Sequence, residues 1–164
     1  MTAPRAMIGV VIQGLGFALV SGVRDGRPAP IWRGPEWADA LVAVAIPAVV
    51  IGSCVLIAAA VRHLGRHWAI PARTIEHHEL ITTGPYRFVR HPIYTAVGGL
   101  LVAMGLTFAP AWALALACVA YGIGTIIRTR AEDALMAATF GSVFEEYRRR
   151  VPALIPRFHL EEES

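Results

Sequence analysis

The chain has no lysine and few charged residues of any kind. All 15 of its basic residues are arginine, which is typical of a codon-usage bias and indicates no site. Charged residues make up 16% of the 164 positions, whereas soluble domains carry about 25%. This shortage, together with 55% hydrophobic residues and a mean hydropathy of +0.53, predicts an integral membrane protein.

Cysteine is scarce too. Cys54 and Cys118 are the only two, and both lie inside apolar runs without metal-ligand spacing. Their placement excludes a disulfide framework and a cysteine-based zinc site, and it predicts two small core residues. A separate basic domain is also lacking, because the arginines flank the apolar runs despite a sequence pI near 9.3. We therefore expect no nucleic acid partner.

What the sequence does have is four long apolar runs, each predicted to be a membrane-spanning helix. They cover residues 6–23, 37–61, 93–109 and 111–127. The first contains only Gln13 and Ser21 as polar residues. No small-residue cleavage motif precedes Arg24, so we interpret this run as a retained span rather than a signal peptide. Pro47 predicts a bend in the second run, and Pro110 predicts a tight helical hairpin between the last two.

Two polar segments complete the chain, a connector over residues 62–92 and a tail over residues 128–164. In the tail, largely apolar positions recur at helical spacing, which predicts one amphipathic helix ended by Pro152 and Pro156. These positions are Leu135, Met136, Thr139, Phe140, Val143, Phe144 and Tyr147. The whole chain, residues 1–164, is therefore predicted to be a single all-α domain that crosses the membrane several times.

The distribution of arginines predicts the orientation of these spans. With a cytoplasmic N-terminus, twelve arginines lie on the inside, in residues 1–5, the connector and the tail, and three lie in the outside loop over residues 24–36. Positive charge is retained on the cytoplasmic side of membrane proteins. We therefore expect a protein of a prokaryotic cytoplasmic membrane, with connector and tail together in the cytoplasm, where they can build one site.

Residues 80–94 form a polar, aromatic stretch next to an apolar run. Gly84-Pro85 predicts a turn, and Pro92 predicts the first position of a helix, where its missing amide proton costs nothing. A helix start favours anionic groups. Arginine, histidine and tyrosine side chains gathered at such a start are typical of a ligand site at the membrane surface. The same residue types also serve as plain interfacial anchors.

The histidines indicate an alternative function. His63 and His67 are four residues apart and could share a helix face, as metal ligands do. Spacing supplies no third ligand, and His78 adds to the pair only weakly. Exposed interfacial histidines explain the pattern as well, and a metal site needs three or four converging ligands. We therefore predict no bound metal, with a membrane metal-binding or transport protein as the alternative.

Arg128 and Glu132 are also four residues apart, where the last apolar run ends. As an exposed ion pair on a helix they would contribute only about 0.3–0.5 kcal/mol. Their position at the same lipid-water boundary as residues 80–94 favours a functional interpretation. A carboxylate, a guanidinium group and an anion-favouring helix start would then converge.

Residues 84–94, Gly-Pro-Tyr-Arg-Phe-Val-Arg-His-Pro-Ile-Tyr, resemble the signature of the isoprenylcysteine carboxyl methyltransferase family, which is related to membrane phospholipid methyltransferases. Two further blocks are similar to that family, residues 64–68 ahead of the signature and residues 128–133 behind it. The second of these leads into residues 140–141 and 151–156. The resemblance covers residues 60–157, and three ordered blocks at the family's spacing make it specific.

The resemblance implies a multi-pass helical membrane enzyme that uses S-adenosylmethionine without a Rossmann domain. By motif, the implied cofactor contacts are His78, Glu79, Leu80, Ile81, Tyr86, His91, Pro92, Ile93, Tyr94 and Glu132. Arg128 would bind the methyl acceptor, and Arg128 and Glu132 would be the catalytic residues. Three positions depart from the family pattern, Ala96 for a glycine, Asp133 for the second glutamate of an acidic pair, and Phe144 where tyrosine is frequent.

The implied chemistry suits these residues. A sulfonium and a carboxylate lose their charges as methyl is transferred, which a desolvated site favours. Arg128 would orient a carboxylate, whereas an amine acceptor would need a base such as His91 or Glu132. We expect a lipophilic acceptor from the bilayer, an isoprenylcysteine carboxylate first, with phospholipid amines and thiols as alternatives. A non-catalytic membrane subunit is disfavoured because Arg128 and Glu132 are present.

Overall fold

The computed structural model describes residues 3–23, 36–65 and 80–156, and most of these residues lie in helices. The helices are α1 (Ala3–Gly22), α2 (Glu36–Leu64), α3 (Pro92–Phe108), α4 (Ala111–Phe140) and α5 (Ser142–Arg150), with a 3₁₀ helix at Gly84–Arg87 before α3. No strand occurs in the described residues. The prediction of an all-α fold is confirmed.

Two of the helices are long and apolar enough to cross a bilayer by themselves, Ala40–Leu64 within α2 and Ala111–Phe140, which is α4. The apolar parts of α1 and α3, Ala6–Gly22 and Pro92–Phe108, are shorter. A 17-residue helix such as α3 measures about 25 Å at 1.5 Å per residue, slightly less than the hydrocarbon thickness of about 30 Å. The prediction of four spans is thus supported for two of them and stays a prediction for α1 and α3.

Small residues bring α1 and α4 into close contact. A Cβ atom on Gly124 would lie 2.7 Å from the carbonyl oxygen of Gly9, and one on Gly16 would lie 3.0 Å from the carbonyl oxygen of Ala117. Both distances leave room for hydrogen only. Helices inside membranes associate through such close backbone contacts, because burying apolar surface gains little against lipid. The two helices run antiparallel, since the earlier glycine of α1 meets the later residue of α4.

The predicted hairpin between the last two apolar runs is confirmed. α3 ends at Phe108, Pro110 caps the start of α4, and Ala109 is buried in the turn. The main apolar core forms where this hairpin packs against α1, and it consists of Val20, Leu101, Ala109, Ala113, Ala117 and Tyr121. α2 lies on the other side of α3, where the hydroxyl of Ser53 occupies the space that a side chain on Gly99 would need.

The polar ends of the helices meet on one side of the molecule. The ring of His63, in the last turn of α2, covers Gly84. The hydroxyl of Tyr121 in α4 donates a hydrogen bond of 2.7 Å to the carbonyl oxygen of Tyr94 in α3. A second apolar cluster of Phe144, Tyr147 and Val151 packs against Leu80, Ala137 and Phe140, and so joins α5 to the connector. The described parts of the connector and the tail therefore lie together, and that they build one site stays a prediction.

Two sequence-based predictions about the helices are wrong. The tail does not form one amphipathic helix, because α4 continues past residue 127 to Phe140 and Gly141 breaks the chain with φ +56° before α5. Residues 128–140 contain no proline or glycine to end the helix of the span. In addition, Cys54 and Cys118 are exposed on their helices rather than buried in a core, because an apolar side chain in a span can face lipid instead.

Candidate active site

The segment before α3 is folded as a tight turn. Gly84 has φ +60°, a conformation that favours glycine, and a Cβ atom there would collide with the His63 ring. Pro85 lies in the first turn of the 3₁₀ helix, and Tyr86 is buried. His91 caps α3 and Pro92 opens it, as the sequence predicts. This turn therefore leads the backbone into the start of α3.

The end of the tail is bonded to this segment through the backbone. The amide of Arg90 donates to the carbonyl oxygen of Pro152 at 2.9 Å, and the amide of His91 donates to that of Ala153 at 3.0 Å. The hydroxyl of Thr95 donates to the carbonyl oxygen of Leu154 at 2.7 Å. Residues 152–154 thus hold the start of α3 in place, a function that the proline positions alone do not reveal.

Side-chain bonds strengthen the same connection. The guanidinium of Arg90 donates to the carbonyl oxygens of Arg148 and Val151 at the end of α5. The hydroxyl of Tyr147 donates to the carbonyl oxygen of Tyr86 at 2.6 Å. Burial raises the pKa of Tyr147 to about 12 and also raises that of Tyr86. Both phenols therefore stay protonated and available as donors.

Five ionisable side chains form a line of alternating charge across the start of α3 and the middle of α4, which we call the charge chain. Arg90 Nη2 lies 2.8 Å from Asp133 Oδ2, and Asp133 Oδ1 lies 2.9 Å from His91 Nε2. His91 Nδ1 lies 3.5 Å from Glu132 Oε2, and Glu132 Oε1 lies 3.6 Å from Arg128 Nη2. Each ion therefore has a neighbour of opposite sign.

His91 is the centre of the charge chain, and both of its ring nitrogens face carboxylate oxygens. A neutral imidazole has only one N–H, so it can donate to one carboxylate but not to both. Burial by itself lowers the pKa of His91, but hydrogen bonds and attraction to Asp133 and Glu132 outweigh it, and the net pKa is raised above 6.5. The imidazolium form completes the charge chain.

The two ends of the charge chain differ in exposure. Arg90 and Asp133 side chains are only 10% and 15% exposed, beneath the end of the tail, whereas Arg128 and Glu132 are 28% and 36% exposed. The end formed by Arg128 and Glu132 is thus the open one. A ligand can therefore reach the charge chain at this end.

Tyr94 connects the open end to α3. Its hydroxyl donates a hydrogen bond to Glu132 Oε1, and the guanidinium carbon of Arg128 lies 5.0 Å from the centre of its ring. This places the cation against the ring face, an arrangement that attracts a guanidinium group. Tyr94, Glu132 and Arg128 therefore position one another.

The N-terminal helix also contributes to the open end. Arg128 Nη1 donates to Gln13 Oε1 at 3.4 Å, and Gln13 Nε2 donates to Thr125 Oγ1 at 2.8 Å. Gln13 and Thr125 are both buried. The sequence offered a signal for this contact, because Gln13 is one of two polar residues in an otherwise apolar run.

The structure brings several residues of the predicted site together. His91, Tyr94, Arg128 and Glu132 meet in the charge chain or against it, while Leu80 packs on the tail and Pro92 is buried at the start of α3. Tyr86 is joined to the tail, and Ile81 and Ile93 flank these residues half-buried. His78 and Glu79 lie outside the described residues. The roles of Arg90, Asp133 and Gln13 were not predicted.

The departures from the family pattern fit their surroundings. Ala96 is buried, and Phe144 is buried in the cluster that joins tail and connector. A phenyl ring satisfies that apolar position without a hydrogen-bond partner. Asp133 reaches both Arg90 and His91, so the shorter carboxylate keeps two partners.

Two cavities among the described residues lie away from the charge chain. The larger cavity, about 400 Å³, lies between α1, α2 and α3, and a smaller one of about 60 Å³ lies between α2 and α3. Both are lined by apolar residues apart from Thr107 in the larger one, and no residue of the charge chain lines either cavity. In the parts of the chain that the structure describes, no three His, Cys, Asp or Glu side chains are placed to share a metal ion; His67 and His78 lie outside those parts.

Comparison with known proteins identifies relatives of the chain. The sequence model of the Isoprenylcysteine carboxyl methyltransferase (ICMT) family matches residues 43–138. The chain is 29% identical over 126 residues to the nickel-cobalt-cadmium resistance protein NccN of Alcaligenes xylosoxydans xylosoxydans, which covers 76% of the chain and 56% of that protein. It is 35% identical over 105 residues to the cobalt-zinc-cadmium resistance protein CzcN of Cupriavidus metallidurans, which covers 59% and 45%. The chain spans about half the length of the curated relatives it matches.

Proposed function

The chain belongs to the isoprenylcysteine carboxyl methyltransferase family, and from that premise we propose that it uses S-adenosylmethionine to methylate the carboxylate of a lipophilic acceptor of the isoprenylcysteine type. Family membership supports a membrane methyltransferase. The observation that carries the finer proposal is the open end of the charge chain, where Glu132 and Arg128 present opposite charges side by side.

The residues at this end suit S-adenosylmethionine. Glu132 is a carboxylate on the open side, so it can face a cationic sulfonium in a partly desolvated place, where the attraction exceeds that of a surface pair. Tyr94 and His91 hold that carboxylate from the other side. By resemblance, Leu80, Ile81, Tyr86, Pro92 and Ile93, with His78 and Glu79, complete the set of residues proposed to bind the cofactor.

Arg128 suits an anionic acceptor. Its side chain is 28% exposed at the open end, and its guanidinium group lies 3.6 Å from Glu132 and 3.4 Å from Gln13. An anion that makes a shorter contact can therefore compete for it. The charge chain contains three cations and two anions when His91 is protonated, and this excess favours a carboxylate at the open end over a protonated amine. We therefore rank O-methylation above phospholipid N-methylation and thiol S-methylation.

In this reaction Arg128 and Glu132 position the reacting groups and transfer no proton. When bound, S-adenosylmethionine supplies a methyl group on a cationic sulfur, and its transfer to a carboxylate oxygen moves no proton. Arg128 orients the carboxylate, and Glu132 balances positive charge next to it. A carboxylate acceptor requires no general base, which agrees with a His91 whose pKa the neighbouring carboxylates raise against the effect of burial.

The test is transfer of labelled methyl. Membranes that contain the protein are incubated with methyl-labelled S-adenosylmethionine and a prenylcysteine, a phospholipid or a thiol acceptor. We expect a lipid-extractable product from the prenylcysteine whose label mild alkali releases as methanol, because an ester hydrolyses. Alkali-stable label would refute the carboxylate acceptor, and no label on any acceptor would refute the methyltransferase.

Variants separate the two roles at the open end. Glu132→Gln should weaken binding of S-adenosylmethionine more than binding of S-adenosylhomocysteine, which lacks the sulfonium charge. Arg128→Ala should raise the acceptor KM and leave cofactor affinity nearly unchanged. Arg130→Ala is the matched control, since this arginine is exposed on the same helix. Equal losses of both cofactor forms in Glu132→Gln would contradict the assignment to the sulfonium.

The names of the two curated relatives support a second candidate function, a role in resistance to nickel, cobalt, cadmium or zinc. The two candidates are distinguishable by growth of a sensitive host on these metals. Tolerance that depends on Glu132 and Arg128 would favour resistance through methyl transfer. Tolerance that survives Glu132→Gln but is lost on replacing His63, His67 and His78 would favour metal binding or transport.

A further inference from the structure

The open end of the charge chain is bordered by α1, a helix that lies outside the residues matched by the family. The match begins at residue 43, whereas Gln13 reaches the guanidinium group of Arg128 from α1. Gln13 therefore contacts Arg128, a proposed site residue, from outside the region that the family model matches.

The orientation of the Gln13 amide follows from hydrogen-bond chemistry. Arginine has donors but no acceptor, so the atom of Gln13 that faces Arg128 must be the oxygen. The amide nitrogen then faces Thr125, whose hydroxyl oxygen accepts at 2.8 Å. Thr125 thus fixes the amide so that its oxygen points to the arginine.

The packing of α1 leaves space for this contact. Gly9 is one helical turn before Gln13, and a Cβ atom on Gly9 would lie 2.5 Å from Cγ of Arg128. The stem of the arginine therefore passes over Gly9 and its head is bonded by Gln13. From the remaining sides the ring of Tyr94 and the carboxylate of Glu132 approach the guanidinium group.

A glutamine in an apolar helix is costly unless it is bonded. Polar groups at membrane depth are rare, and packing alone could be satisfied by leucine. The other polar residue of the apolar run over residues 6–23 is Ser21, whose hydroxyl donates within its own helix, to the carbonyl oxygen of Phe17 at 2.7 Å. Gln13 differs from it because both ends of its amide bond to α4.

We propose that Gln13 is a positioning residue for Arg128, so that α1 forms one wall of the site for the acceptor carboxylate. Gln13 holds the guanidinium group away from full pairing with Glu132 and leaves it free to bind an anion. A neutral amide is required for this role, since a carboxylate at the same place would occupy the arginine itself. The inference rests on the proposed function, because it assigns the substrate class of the same site.

The test compares acceptor KM, kcat and S-adenosylhomocysteine affinity in a set of full-length variants. Gln13→Leu should raise the acceptor KM by about tenfold, as expected for losing a hydrogen bond to a charged group, with cofactor affinity unchanged. Gln13→Glu should raise it at least as much, and Ser21→Ala should change neither. In the Arg128→Ala background, Gln13→Leu should have no further effect on KM, because Gln13 acts through the arginine.

The outcomes separate this inference from the proposed function. If the wild type methylates the carboxylate acceptor and Gln13→Leu leaves its KM unchanged, the inference is overturned and the proposed function stands. Additive effects of Gln13→Leu and Arg128→Ala also overturn it. If the wild type methylates no carboxylate acceptor, both are overturned. A double-mutant cycle of the same two changes in thermal unfolding tests the contact without activity, and zero coupling there would overturn the positioning role by itself.

Discussion

Replacing Asp133 with asparagine removes one charge from the closed end of the charge chain. Asp133 bonds Arg90 and His91, and the side chains of all three are largely buried. An asparagine side chain would offer one oxygen and an amide donor, so one of the two cations would face a donor instead of an acceptor. The change therefore leaves positive charge buried without its partner.

The size of the effect follows from that burial. Removing one partner of a buried ion pair costs about 3–5 kcal/mol, and we expect the lower end, about 3 kcal/mol, because His91 can release its proton. For a chain of this length a loss of about 3 kcal/mol lowers the unfolding midpoint by about 6–12 °C. The matched control is Glu145→Gln, whose ion pair with Arg148 is 50% exposed and contributes at most about 1 kcal/mol.

The same substitution should change the pH dependence of stability. The pKa of His91 is raised in the folded protein, so the folded state binds the proton more tightly than the unfolded chain. This stabilisation is complete below about pH 6.5 and is lost as the pH rises through the raised pKa. In Asp133→Asn the loss should be smaller, since one of the carboxylates that raise the pKa is gone.

Thermal unfolding of the purified protein in detergent, measured from about pH 5.5 to about pH 9 for wild type, Asp133→Asn, Asp133→Glu and Glu145→Gln, tests both expectations. Asp133→Glu restores the charge and should recover most of the stability. The reasoning is refuted if Asp133→Asn unfolds at the same midpoint as Glu145→Gln, or if it keeps the full wild-type decline in stability at alkaline pH.

The remaining predictions concern packing and topology. Gly124→Ala should destabilise the protein by about 1–3 kcal/mol, because the added methyl group would overpack against the backbone of Gly9. The control Gly122→Ala meets nothing within 4 Å and should be neutral or stabilising. Equal unfolding midpoints for the two variants would contradict the close contact of α1 and α4. The topology can be tested by labelling single cysteines in intact cells, in a variant with Cys54 and Cys118 replaced. Cysteines introduced at residues 82 and 146 should react only from the cytoplasm. Reaction of the two positions from opposite sides of the membrane would refute the four-span topology.

Much of the fold follows from local rules that the sequence displays. Pro92 and Pro110 mark the boundaries of α3 and α4 because proline ends or opens helices, and the apolar runs give their approximate lengths. Gly141 was not recognised as a break, because the periodicity of apolar residues continues across it. The helix ends there through a φ of +56°, which a pattern of apolar positions does not encode.

The candidate site was predictable only in part, for a different reason. Motif resemblance selects His91, Tyr94, Arg128 and Glu132, and the structure brings these four together. The bonds of Arg90 to the tail and of Gln13 to Arg128 join residues 58 and 115 positions apart in sequence. Spacing rules apply within one helix, so they cannot identify contacts that depend on how separate helices pack.

The continuity of α4 fixes how far its charged residues lie from its apolar start. One unbroken helix of 30 residues carries Arg128, Glu132 and Asp133 beyond its apolar half. At 1.5 Å per residue, Arg128 lies about 26 Å along the axis from Ala111, near the far edge of a hydrocarbon layer about 30 Å thick. Because α4 is unbroken over this stretch, it holds Arg128 at a fixed distance from Ala111. The lipophilic acceptor that we propose would therefore have to carry its carboxylate at that depth.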